Sequence, residues 1–283
     1  MTIGEALLQG TKLLEEEAIP AARLTAEVLL AHALNKDRVY LFAHSSDELS
    51  ELGWIHFGRY LYQRLAGKPT QYITKRQEFY GRDFQVTPAV LIPRPETEHL
   101  IETVLRRAPA ARTAVDIGCG SGAIGLTLAA ERKWQVTLTD LSQEALHVAA
   151  GNARALSIRA EFVCCDLGAA LRSDAFDVIA SNPPYIPHGE GPGLPPEVRN
   201  HEPHLALFGG DEGTEIYKPL IADSARALKS GGLLAMELGY QGFDRVRAML
   251  GPAWTAIEVT HDLAGWPRVL SAIKAPAAKA NYR

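Results

Sequence analysis

TAVDIGCGSGAIGLTLAAERKWQVTLTD, residues 113–140, passes from an apolar run through a glycine cluster into a helical pattern and out into a second apolar run. Residues 113–117 read as a short strand, 123–132 as a helix and 135–139 as a strand ending at Asp140. Glycines between strand and helix permit positive φ and let the backbone lie against a ligand. An acid about 20 residues past such a turn is placed to accept hydrogen bonds from both hydroxyls of a ribose. That assigns Asp140 to a nucleoside. Gly120-Ser121-Gly122-Ala123-Ile124-Gly125 also satisfies G-x-G-x-x-G, the dinucleotide fingerprint, but a lone match is weak. Asp116 precedes the glycines, where a carboxylate would repel a pyrophosphate and suit an ammonium group. The pattern therefore favours S-adenosylmethionine, which carries an α-amino group and a sulfonium, over a nicotinamide.

Downstream, further strands are expected at 159–164, 176–180, 233–237, 255–259 and 268–273, with helices at 143–156 and 214–228. Alternating β and α units imply an α/β fold with a mostly parallel sheet and helices on both faces. The third strand ends in Cys164-Cys165-Asp166-Leu167. Asp166 could bond the exocyclic amine of adenine, and Leu167 could cover the ring. Asp116, Asp140 and Asp166 would then stand in series at the carboxyl ends of strands, where open α/β sheets bind ligands.

The fourth strand runs into Ser181-Asn182-Pro183-Pro184-Tyr185. Two prolines fix φ and restrict their predecessors. The resulting turn can present the Asn182 side-chain carbonyl and the Pro183 backbone carbonyl together, with Tyr185 nearby. A planar –NH2 group has two donors for two such acceptors, and its nitrogen is a poor nucleophile because its lone pair is delocalised. Accepting both protons orients the nitrogen and draws electron density onto it.

Upstream, residues 1–67 show helical spacing of apolar residues, broken at Pro20. Residues 71–88 are aromatic and β-branched, with a turn at 80–83, and read as a β-hairpin. LIPRPETE (91–98) leads into a helix to about residue 107. Between 59 and 82 there are six basic residues and one acid, Glu78. That is either a solvated face or a docking patch for an acidic or RNA-associated partner. Residues 187–196, PHGEGPGLPP, read as a loop over the site or an ordinary connection.

Composition narrows the function. The 283 residues are 47% hydrophobic and 22% charged, with a net charge of −4. That is globular, and it disfavours binding nucleic acid through global charge. No apolar run reaches the length of a membrane span, and MTIGEALLQGTKLLEEE is too acidic for a secretory signal. The three cysteines fit neither a disulfide framework nor a zinc site and suit a reducing cytoplasm.

DIGCGSG, then TD, then NPPY resembles the class I (Rossmann-like) methyltransferases of planar amino groups. With LIPRPETE, HEPHLALFGGDEG (201–213) and the helical amino-terminal region, the chain is similar to the PrmC/HemK family, over roughly residues 3–273. That resemblance implies a seven-stranded sheet at 89–275, a helical substrate-docking domain at 1–70, a connecting hairpin at 71–88 and a flexible tail at 276–283. It implies methyl transfer from S-adenosylmethionine, giving S-adenosylhomocysteine, to N5 of the glutamine in the Gly-Gly-Gln motif of class I peptide-chain release factors. Gly118, Cys119, Gly120, Ser121, Gly122, Asp140, Leu167 and Asn182 would contact the cofactor, with Asp166 nearby. Asn182, Pro183, Pro184 and Tyr185 would hold the glutamine; Arg94 and Glu96 would close the pocket. No metal, membrane or direct nucleic-acid contact is expected. The family often has glycine where Lys75 stands here. The residues alone leave a nucleobase amino-methyltransferase (adenine N6 or cytosine N4) and a non-catalytic cofactor-binding scaffold as alternatives.

Overall fold

The computed structural model describes residues 1–240 and 242–276. Most of the expected tail, residues 277–283, lies outside them. The chain divides into two compact units, residues 1–76 with 195–201, and residues 77–194 with 202–283.

The first unit is helical: Ile3–Glu16, Ala22–Leu34, Arg38–Ala43, Glu51–Leu65 and Thr70–Thr74, joined by Pro196–His201. Side-chain caps start two of the three longer helices, Ile3–Glu16 and Glu51–Leu65. Thr2 and Glu5 form a reciprocal capping box, and Ser50 caps Gly53 N–H at 3.1 Å. The short helix Arg38–Ala43 had no apolar period to announce it; Asp37 nucleates it by accepting Tyr40 N–H at 2.8 Å. Leu14, Leu29, Leu30, Phe57 and Leu61 fill the core. The basic run does not form one surface: Arg64 is buried and paired to Glu197.

Gly10 lies inside the first helix, where alanine ordinarily gains about 1 kcal/mol. Here a Cβ would fall 2.5 Å from Phe57 Cζ and 3.3 Å from Leu61 Cδ1, and Phe57 is fully buried. Overpacking outweighs propensity, so Gly10→Ala destabilises this unit by about 1–3 kcal/mol. Urea titration followed by circular dichroism checks this; a raised midpoint would contradict it.

The expected hairpin is shorter than the 71–88 reading. Its strands are β1 (Arg76–Phe79) and β2 (Arg82–Gln85), and residues 70–74 are helical. Pro69 sets the helix entry, its carbonyl accepting Tyr72 and Ile73 N–H at 3.0 and 3.1 Å. Tyr72 and Ile73, adjacent in sequence, are both buried, and a strand would have turned one of them outward. Lys75 ends the turn at φ 59°, a left-handed conformation that glycine adopts without strain.

The second unit carries seven further strands: β3 (Thr113–Ile117), β4 (Gln135–Asp140), β5 (Ala160–Cys164), β6 (Phe176–Ser181), β7 (Leu228–Glu237), β8 (Trp254–His261) and β9 (Pro267–Lys274). Their order is β5-β4-β3-β6-β7-β9-β8, parallel except at β9, which runs antiparallel to β7 and β8. Period-2 alternation covers both faces. Val178, Ala180, Leu233 and Ala235 join the helices Glu98–Arg107, Ala123–Arg132 and Gln143–Ala155 in one core. Ile179, Leu234 and Met236 join Tyr217–Ala227 and Phe243–Met249 in the other. Each such buried Val, Leu, Ile or Met side chain contributes about 1.5–3 kcal/mol. Residues 188–193 form a 3₁₀ turn whose His188 N–H bonds Gly210 O at 2.9 Å. Among the described residues no helix is long and apolar enough to cross a membrane.

Candidate active site

Sheet register sets the site. Ile117 pairs with Ser181, so Gly118 and Asn182 leave the sheet side by side. Asp140 pairs with Cys164, so Asp140 and Asp166 follow on neighbouring strands. Strand order reverses at β3, which pairs in parallel with β4 on one side and β6 on the other, the switch point where α/β sheets open a crevice. A cavity of about 370 Å³ lies there.

Its wall includes Gly118, Cys119, Gly120, Ser121, Asp140, Asp166, Leu167, Asn182, Pro184 and Arg94. Gly120 has φ 53°, and a Cβ on Gly118 or Gly120 would meet no atom within 4 Å. The loop thus exposes bare backbone to open space. Asp140 is anchored at both oxygens: Oδ2 accepts Gly120 N–H and Oδ1 accepts Ser142 N–H, each at 2.9 Å. A carboxylate has further lone pairs, which remain for ligand hydroxyls. Leu167 sits at φ 44°, a strained conformation for a non-glycine residue of the kind that collects at ligand sites. Its carbonyl accepts Thr139 Oγ1 at 3.0 Å. Burial pushes the Cys119 thiol well up, so it stays protonated and packs as a small apolar group.

Four expected residues stand outside this wall: Gly122, Pro183, Tyr185 and Glu96. Gly122 begins the helix Ala123–Arg132, where a Cβ would come within 3.0 Å of Leu126 and Leu138. Tyr185 lines a second cavity of about 430 Å³, with Glu190, Asp211, Tyr217, Tyr240 and Arg245 among its other walls. The Asn-Pro-Pro-Tyr turn therefore has one end in each cavity. Asp116 is also not where its motif position suggested. It is fully buried against the helix, Oδ2 accepting Gly125 N–H at 2.8 Å, while Oδ1 has no partner among the described residues. Strand alternation turns it there with Ala114, away from the ligand wall. Burial pushes its carboxyl up to about 7, with the nearby Asp140 adding to the rise.

The turn is held from behind. Ile186 N–H bonds Leu207 O and Gly209 N–H bonds Ile186 O, both at 3.0 Å. A Cβ on Gly209 would lie 2.4 Å from the Pro184 carbonyl oxygen, so only glycine allows this approach. Arg94 pairs with Glu202, which also accepts Ile92 N–H at 3.2 Å. Three residues not expected as site residues join the network: Thr97 and Glu202, from the LIPRPETE and HEPHLALFGGDEG segments, and Glu237. Thr97 Oγ1 donates to Glu237 Oε2 at 2.7 Å and accepts Asn182 Nδ2 at 3.2 Å.

Comparison with known proteins places the chain. The PrmC N-terminal domain family matches residues 5–74 and the methyltransferase small domain family residues 95–191. A release factor glutamine methyltransferase from Koribacter versatilis is 45% identical over 274 residues, 95% of this chain and 98% of the relative. The chain belongs to the release factor glutamine methyltransferases. The family member from Nitratidesulfovibrio vulgaris is 42% identical, over 96% of this chain and 95% of its own. Among solved structures, a methyltransferase from Pyrococcus furiosus superposes with a TM-score of 0.55 at 19% identity, covering 73% of this chain and 94% of that one. A Thermus thermophilus 16S rRNA N2 G1207 methyltransferase, crystallised with AdoMet and guanosine, gives 0.52 at 20% identity, over 70% and 49%. At these identities they show the Rossmann-like fold. Family membership over nearly the full length does not favour the nucleobase reading.

Proposed function

We propose that this enzyme methylates N5 of the glutamine in the Gly-Gly-Gln motif of class I release factors, using S-adenosylmethionine, in the cytoplasm. The observation that carries the reading is the Asn182 amide. Its Nδ2 is occupied by Thr97, which leaves Oδ1 as an acceptor at the cavity wall. Bare glycine backbone, anchored Asp140 and Leu167 fit a nucleoside with a charged tail, and S-adenosylmethionine bound there supplies an electrophilic sulfonium methyl group.

The chain's own part is positioning. Gly118 to Ser121 and Asp140 would hold the ribose end, with Asp166 and Leu167 at the base. Asn182 Oδ1 and the Pro183 carbonyl would each accept one amide N–H. That draws electron density onto the nitrogen, orients it and stabilises it as it becomes cationic. No strong base is needed before attack, since methylation acidifies the nitrogen. The Tyr185 phenol, pushed up by burial and by Glu237, stays neutral and offers a flat wall.

The helical unit would grip the release factor. Leu52, Ile55 and Tyr62 are exposed on the helix Glu51–Leu65, and Val39 and Phe42 on Arg38–Ala43. Spacings of three and seven put the first three on one helix face. Incubation with methyl-labelled donor and, separately, release factor, DNA and RNA tests the substrate class. Label enters release factor; label in a nucleic acid with none in release factor would overturn the reading.

A further inference from the structure

Glu237 closes β7 with 1% of its surface exposed, and the chemistry above makes no use of it. Its Oε2 accepts a hydrogen bond from the Thr97 hydroxyl, Oε1 lies 3.5 Å from the Tyr185 hydroxyl, and its backbone carbonyl accepts the Tyr217 hydroxyl at 2.8 Å. A hydroxyl has one proton and two lone pairs, and an ionised carboxylate only accepts. With its one O–H donated to the Glu237 carboxylate, Thr97 offers Asn182 nothing but lone pairs. The Asn182 amide must then turn its NH2 toward Thr97.

We propose that Glu237 and Thr97 form a polarity relay that locks the Asn182 amide, so that Oδ1 and not Nδ2 meets the substrate –NH2. This rests on the glutamine reading and deepens it. A side-chain amide has two nearly isosteric orientations, and the wrong one sets donor against donor in a desolvated pocket. Nothing in Asn182 itself selects between them. Thr97 lines the cavity beside Asn182 and Glu237 stands behind it; both are positioning residues, because they act through the Asn182 amide.

The relay depends on protonation. Arg268 from β9 faces Glu237 and favours its anion; Glu96 from the 3₁₀ turn Pro95–Thr97 opposes it, and the Thr97, Tyr185 and Tyr217 hydroxyls complete the surroundings. Burial dominates and pushes the carboxyl up to about 7. Protonated, Glu237 brings its own O–H, the Thr97 proton is released from its duty, and the direction of the relay is lost. Turnover should therefore rise with pH through about 7 as Glu237 ionises.

The test is single-turnover methylation of release factor by wild type, Thr97→Ser and Thr97→Val, at saturating S-adenosylmethionine across about pH 5.5–8.5. Thr97→Val should lose about 10–100-fold in rate at the upper end, the scale for removing a group that orients a catalytic ligand. Its KM for release factor should stay within about twofold, because the loss is in transition-state stabilisation. Thr97→Ser, which keeps the hydroxyl, should retain most of the rate and the acid limb; Thr97→Val should lose that limb. A Thr97→Val enzyme as fast as wild type would overturn the relay and leave the activity standing. So would a Thr97→Ser enzyme as slow as Thr97→Val, because the hydroxyl is all that the relay needs from this residue. A wild type inert on release factor would overturn the activity itself, and the relay with it.

Discussion

Asn182→Ala lowers the single-turnover rate on release factor by about 10²–10³-fold, the scale for losing one preorganised hydrogen-bonding partner of a transition state. Alanine removes the Oδ1 acceptor and leaves one substrate N–H unpaired in a closed site. The bond strengthens as the nitrogen becomes cationic, so the loss falls on kcat more than on KM. Asn182→Asp restores less than a count of acceptors suggests. Thr97 has one O–H, already donated to the Glu237 carboxylate at 2.7 Å; a new carboxylate oxygen in place of Nδ2 would compete for it. Two buried anions would then share a single hydroxyl. Rapid-quench measurement at saturating cofactor and release factor distinguishes these outcomes; an alanine variant impaired only in KM would remove Asn182 from the chemistry.

Asp140→Ala weakens S-adenosylmethionine binding by about 1.5–3 kcal/mol, the scale for hydrogen bonds to a charged group. That corresponds to roughly 10–150-fold in Kd. The expected effect has two sources. One is the lost acceptor for the ribose. The other is the glycine loop itself, since Gly120 and Ser142 N–H both terminate on this carboxylate. The second source makes Asp140→Asn a poor rescue: whichever way the amide turns, its NH2 faces a backbone N–H. Calorimetric titration with S-adenosylmethionine checks both variants. A Kd unchanged in Asp140→Ala would place the ribose elsewhere.

The cofactor end of the site was legible in sequence because its residues lie at consecutive strand ends and are ordered by the sheet. Asp140, Asp166 and the glycine loop need only strand assignment and parallel register to be brought together. The turn at Asn182 was legible because two prolines leave the backbone little freedom. Asp116 was misplaced for the opposite reason. Motif position says that it borders the loop, but strand alternation decides which face it takes, and that face is the helix. The 71–88 segment misled through composition, since Tyr72 and Ile73 suit a strand but their burial as neighbours requires a helical turn. Glu237 could not be read from local sequence, and Thr97 and Glu202 stood inside the LIPRPETE and HEPHLALFGGDEG segments without any role assigned to them. Thr97 and Glu237 are 140 residues apart, each looks like an ordinary polar residue, and only burial against Asn182 gives them a role.

The claim that most of this rests on is that two carbonyl oxygens hold a primary amide for methylation. Tandem mass spectrometry of release factor after reaction with labelled methyl donor addresses it directly, using the natural substrate beside one in which the Gly-Gly-Gln glutamine is replaced by glutamate. Glutamate would remove both donors and set an anion against Asn182 Oδ1 and the Pro183 carbonyl. The predicted result is a single methyl group on the glutamine side-chain nitrogen and none on the glutamate-substituted protein. Equal label in the two, or label on another residue with the glutamine untouched, would contradict it.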